Sequence, residues 1–184
     1  MSELNLEQAN ALIHEVLRAA HEKAMPPLAV AVLDSGAHLK AFQRQDGVSF
    51  LRSQIAQAKA WGALAMACNT DQLAERYQQG DIQQGFINAL NTMTDGKIIP
   101  LPGGVLVHND RNEIIAAVGA AGGPSEDDEA CVCTAIETLG FKVLKSRPPV
   151  LLKDRSYLDY LNTNNVCYWS NSGSRLHDLG VCSG

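Results

Sequence analysis

Residues 101–130 read LPGGVLVHNDRNEIIAAVGAAGGPSEDDEA, and this stretch decides the fold. A Pro-Gly-Gly turn opens it, two short apolar runs follow, and a second glycine pair precedes a helix start. The runs Val105 to Val107 and Ile114 to Val118 are short, apolar and joined by Asn109-Asp110-Arg111-Asn112, which predicts two strands and a turn. Gly103-Gly104 and Gly122-Gly123 bracket them. Glycine lets another backbone approach closely, so the bracketed hairpin is expected to be a floor on which another element is laid. Ser125 is expected to cap the next helix, Glu126 to about Leu139. Its acidic first turn (Glu126, Asp127, Asp128, Glu129) suits the positive end of the helix dipole. Gly140 fits the position just past the helix end.

Upstream, Asn5 to about Lys23 carries Leu6, Ala9, Leu12, Ile13, Val16, Leu17 and Ala20 at helical spacing, with Asn5 and Gln8 placed for a capping box. His14 and His21 lie seven residues apart and share roughly one face. Pro26-Pro27 stops the helix. Leu28 to Leu33 and His38 to Arg44 read as strands joined by Asp34-Ser35-Gly36, a hairpin turn. Ser49 to about Ala67 is a second long helix, rich in alanine, with Lys59 in its apolar middle. Asp71 to about Gln79 is a third helix, and Asp81 to Asn91 has the spacing of a short helical turn. Ser146-Arg147-Pro148-Pro149 looks like a linker. The expected organisation is a domain over 1–145 and an irregular C-terminal extension over 146–184.

Composition narrows the function. The chain has 184 residues and a net charge of −5, which gives no reason to expect a nucleic-acid partner. No apolar run is long enough to span a bilayer, so no membrane partner is expected. The polar start, MSELNLEQAN, does not resemble a signal peptide, and a cytoplasmic location is expected. Five cysteines without a CxxC spacing argue against a disulfide framework or a zinc site, and no metal is expected. No P-loop, HExxH or GxSxG is present.

The order is helix, hairpin, helix, a variable segment, strands and helix. With AVAVLDSGAHLKAFQRQDG at 29–47, Ile55-Ala56 with Lys59-Ala60, Leu101-Pro102-Gly103-Gly104 and VGAAGGPSEDDEA at 118–130, it resembles the GlcG/HbpS-like family, also called the haem-degrading domain family. The chain departs from the family at Ala120-Ala121, where Val-Ser is usual. The resemblance implies an α+β, profilin-like fold with a five-stranded antiparallel sheet and helices on its faces. It also implies a homo-oligomer, from dimer to octamer. Its members include haem-binding proteins and proteins encoded with glycolate or diol catabolism.

A small-molecule-binding protein is the first functional expectation, with haem or a related tetrapyrrole as the ligand the resemblance implies. Haem iron needs an axial donor. His14 and His21 are preferred because a haem-binding member uses a histidine on or near the first helix; His38 and His108 are alternatives. Arg44 or Lys59 would pair with a propionate. An enzyme of isomerase, tautomerase or hydrolase type, acting on a small carboxylated or carbonyl metabolite, is the second. It would use Lys59 with Asp34 or Glu129, and anion-binding N–H groups at Gly103, Gly104 and the helix start at Ser125. A third reading makes helix 49–67 an oligomer interface.

Overall fold

The structure, a computed structural model, describes residues 4–144. Within them the order is α1 (Leu6–Glu22), β1 (Ala29–Asp34), β2 (Leu39–Arg44), α2 (Phe50–Met66), α3 (Thr70–Tyr77), α4 (Asp81–Met93), β3 (Gly104–His108), β4 (Ile114–Ala121) and α5 (Ser125–Thr138). The expected extension over 146–184 lies outside the described residues.

The strands form one antiparallel sheet in the order β2-β1-β4-β3. Successive side chains alternate between its faces. Val30, Val32, Val105, Val107, Val118 and Ala120 meet α1 and α5 in the larger core. Ala29, Ala31, Leu33, Leu106, Ala117 and Ala121 meet α2 on the other face. Helix α1 forms as its pattern predicts. Asn5 accepts from the Gln8 N–H, Gln8 returns the bond to the Asn5 N–H, and Leu12, Ile13 and Val16 are buried.

The α+β architecture with an antiparallel sheet is observed, but four strands are present among the described residues, not five. The outer edge of β3 shows the reason. Thr70 Oγ1 accepts from Gly104 N–H at 2.8 Å and Asn69 Oδ1 accepts from Leu106 N–H at 3.0 Å. Among the described residues only His108 pairs with backbone there, in a single bridge to Lys142. The first residues of α3 thus satisfy edge groups that another strand would otherwise need.

Two local expectations are revised. The short turn over 81–91 is a 13-residue helix, α4, packed on α3 and the 98 region through Ile87 and Leu90. Pro124, not Ser125, occupies the N-cap of α5, and no side chain caps it. The alanines of α2 face the sheet: Ala56, Ala60 and Ala63 are buried there.

The expected floor is present. Gly104 and Gly119 are cross-strand partners. A Cβ on Gly119 would lie 2.0 Å from the Ala56 carbonyl oxygen, and one on Gly104 would lie 2.3 Å from that of Lys59. Helix α2 therefore rests its backbone directly on the strands. Gly119→Ala is expected to destabilise the protein by about 3 kcal/mol or more, the upper range for overpacking, because the obstacle is backbone. Urea unfolding measures this; a loss under about 0.5 kcal/mol would show that α2 shifts freely.

Candidate functional site

Helix α2 brings Lys59 to the end of β3, where Gly103, at φ +112, turns the chain aside. The Lys59 stem passes this turn, and a Cβ on Gly103 would lie 2.9 Å from Lys59 Nζ. The ammonium donates to the Ala120 carbonyl at 3.0 Å and to Asp128 Oδ2 at 3.2 Å. Lys59 is 1% exposed and Asp128 0%. Asp128 Oδ1 accepts from Gly123 N–H at 3.1 Å. One buried ion pair thus joins α2, the end of β4 and the first turn of α5. Burial pushes the Lys59 pKa below the ordinary lysine value, and Asp128 opposes that shift.

Glu129 stands beside this pair. Its Oε2 accepts from Gly103 N–H at 3.2 Å. Burial, then the neighbouring Asp71 carboxylate on α3, pushes its pKa up to about 7, while the Gly103 bond and Lys59 pull it down. The structure therefore gathers Lys59, Glu129 and Gly103 as the sequence suggested. Gly104 lies alongside, but its N–H is taken by Thr70. Ser125 heads α5 three residues before Asp128.

Asp34 is not part of this group. It ends β1 opposite Ala116, whereas Ala29, at the other end of β1, pairs with Ala121 beside the Lys59 contact. Its Oδ1 accepts from the Gly36 and His38 N–H groups, closing the hairpin turn. The His38 N–H is the leading cause that holds its carboxyl below the usual range.

A cleft of about 360 Å³ opens at the C-terminal end of α1, lined by Ala20, His21, Met25, Pro26, Pro27, Gln45 and Asp46. Gln45 fixes one wall, accepting from Leu28 N–H through its side chain at 2.7 Å. Arg44, exposed at the end of β2, directly precedes it. His14 is exposed on α1, two turns or about 10 Å before His21. Met25 is held by the Cys131 thiol, which donates to its sulfur at 3.4 Å. It also packs on the loop that Asp128 fixes: a Cβ on Gly123 would lie 2.7 Å from the Met25 methyl. The ion pair therefore backs one wall of the cleft.

The other histidines are placed differently. His38 is exposed, 3.3 Å from Asp34. His108 is buried, its Nδ1 has no partner, and burial lowers its pKa. No group of three or more His, Cys, Asp or Glu side chains suited to a metal ion occurs among the described residues.

Sequence reasoning missed the roles of Asp128, Asp71 and Met25. Asp128 carried a legible signal: with Cys131, Val132, Ala135 and Ile136 it heads the buried stripe of α5, unlike Glu126 and Asp127, which are exposed. Asp71 and Met25 carried none, because their roles depend on contacts between distant segments.

The Glu129 environment predicts a pH dependence. Its folded pKa, about 7, lies above the unfolded value near 4.5. The folded protein thus binds the proton more tightly, and stability from this group is full below pH 4.5 and falls as pH rises to 7. The loss is on the order of 1 kcal/mol once solvent screening is allowed for. Glu129→Gln is expected to remove this slope and raise the melting temperature at pH 8. An identical slope in the variant would refute the assignment. Asp128→Ala, which leaves a buried ammonium unpaired, is expected to cost about 3–5 kcal/mol, read by urea unfolding.

Comparison with known proteins is consistent with this architecture. The chain is 29% identical over 130 residues to the corrinoid adenosyltransferase PduO of Salmonella typhimurium, covering 69% of this chain and 37% of that protein. It therefore spans little more than a third of that relative. A crystal structure of a PduOC–haem complex superposes with a TM-score of 0.68 at 25% identity, covering 77% of this chain and 98% of that one. A crystal structure of HbpS gives 0.63 at 26% identity, covering 76% and 92%. The profile of the family described as haem degrading protein HbpS-like matches residues 4–137, and the chain belongs to that family.

Proposed function

We propose that this protein binds haem or a related tetrapyrrole at the cleft beside α1, with His21 as the axial donor. The observation that carries this is the position of His21: among the described residues it is the histidine that lines the cleft. Imidazole is a common axial donor to haem iron. Ala20, Pro26 and Pro27 supply a rigid apolar wall opposite the polar groups of Gln45 and Asp46. At about 360 Å³ the cleft is at the small end of ligand pockets (roughly 300–1,000 Å³), so it suits part of a macrocycle. Asp46 disfavours propionates at its side of the rim, and Arg44 offers them a cation. His14, on the same helix, is the alternative donor. His108 is ranked lower because it is buried, and His38 because it is tied to the hairpin turn. The solved PduOC–haem complex supports the choice of ligand class.

One observation favours an enzyme as a second reading. Glu129 holds its carboxyl near neutrality beside the Gly103 N–H, as a general acid or base for a small carboxylated or carbonyl metabolite would require. The reading is weaker because Lys59, its cation, is sealed and already paired with Asp128 and Ala120.

Titration of the purified protein with haemin tests the first reading. Wild type is expected to give a shifted Soret band, and His21→Ala to lose at least tenfold in affinity or change the band. Arg44→Ala is expected to weaken binding two- to fivefold with the band unchanged. A wild-type spectrum identical to free haemin removes the proposal; a loss confined to His14→Ala transfers the donor role to that residue.

A further inference from the structure

Met25 stands between a buried thiol and open space. Its thioether sulfur accepts the Cys131 S–H at 3.4 Å on the core side, while the residue itself lines the cleft at the end of α1. Its backbone is pinned. Ala24, at φ +50, turns the chain back, and Met25 N–H donates to the Ala20 carbonyl at 3.0 Å. Pro26 and Pro27 follow, each with its φ fixed by its ring. The side chain is the part left to move.

The two sulfurs differ in what can reach them. Cys131 is 0% exposed, and burial pushes its thiol up against the pull of Lys23. It therefore stays protonated, and the reactive form of cysteine is the thiolate. A thioether needs no deprotonation before it is oxidised. Of this pair, half-buried Met25 is thus the sulfur that a small oxidant entering the cleft meets.

We propose that Met25 is a sulfoxidation site whose modification remodels the cleft, with hydrogen peroxide or a small organic hydroperoxide as the oxidant. A sulfur lone pair attacks the terminal peroxide oxygen. The S–O bond forms as the O–O bond breaks, and the proton leaves with the departing oxygen as water or an alcohol. Sulfur loses two electrons and the peroxide gains them. The surroundings decide the consequence. A sulfoxide is polar and must find donors or water. The core side is apolar, Cys131 offers only a weak S–H donor, and the neighbouring Gly123 N–H already serves Asp128. The sulfoxide therefore turns toward the cleft. That draws the sulfur off Cys131 and takes up space on the side of His21, four residues earlier and on the same cleft. The modification stands without a ligand; its effect on tetrapyrrole binding rests on the function proposed above.

The full chain is treated with hydrogen peroxide in the absence of haemin and mapped by peptide mass spectrometry. Met93, 73% exposed, serves as the internal standard for a thioether in water. Met25 is expected to gain one oxygen atom. In the oxidised wild type, native-state alkylation of Cys131 by iodoacetamide is expected to run at least fivefold faster, and haemin affinity to fall at least threefold. Met25→Leu, close in volume, is compared with itself before and after the same treatment. It is expected to show neither change, although Met93 is still oxidised. Met25 left unoxidised when Met93 is fully converted overturns the proposal. So does an oxidised wild type whose Cys131 reactivity and haemin affinity are unaltered, or an equal response in Met25→Leu. A wild type that binds no haemin before treatment removes the ligand reading instead, and the mass and alkylation results then decide the modification.

Discussion

Helix α2 sits so close to the sheet that its own carbonyl oxygens occupy the space of two strand side chains. Gly104 and Gly119, paired across β3 and β4, make this possible, and the alanines on both surfaces complete the contact. Larger residues at these positions would hold the helix off at ordinary packing distance. Much follows from the closeness. Lys59 lies on the face of α2 that carries Ala56, Ala60 and Ala63, so its stem runs under the helix toward Gly103. It emerges under the backbone, where a carbonyl and one carboxylate are within reach.

That geometry decides what Lys59 does. An ammonium in such a place is costly unless paired and hydrogen-bonded, and Asp128 and the Ala120 carbonyl meet that need. Replacing the pair with apolar residues of equal volume is often neutral for stability, so its value here lies in position. It fixes the first turn of α5 relative to α2, and through Gly123 and Met25 it fixes one wall of the cleft. The candidate cleft and the fold are thereby linked through one buried contact.

Much of this was legible in the sequence. The glycine pairs announced a close approach, and the stripe from Ala9 to Ala20 announced α1. Three features were not legible, each for a physical reason. The edge of β3 is satisfied by Asn69 and Thr70, side chains that read locally only as a helix start, so nothing in the sequence qualified the fifth strand that the resemblance implied. The length of α4 was underestimated because its glycine and its polar amides weaken local helix propensity. The cleft joins the end of α1 to the end of β2, segments more than twenty residues apart, and periodicity carries no information about such pairs. Lys59 stood out in the apolar middle of its helix, yet its partner was hidden among four consecutive acids. The helical period separates them: three point to solvent or the rim, and Asp128 alone points to the core.

The placement of the ion pair also orders the two functional readings. A lysine acts in proton transfer when it is desolvated and its hydrogens are available to a substrate. Lys59 meets the first condition and fails the second, since Gly103, Ala120 and Asp128 close around its Nζ with no space left for an organic acid. Glu129 remains as a proton-holding group at the rim, beside a lysine already paired with Asp128. The cleft has the converse character: it has volume, a nitrogen donor and a rigid wall. Those are the attributes of a binding site. The proposed binding site therefore lies at the end of α1, where the cleft opens, and not at the glycine-lined rim, where the sequence is most distinctive.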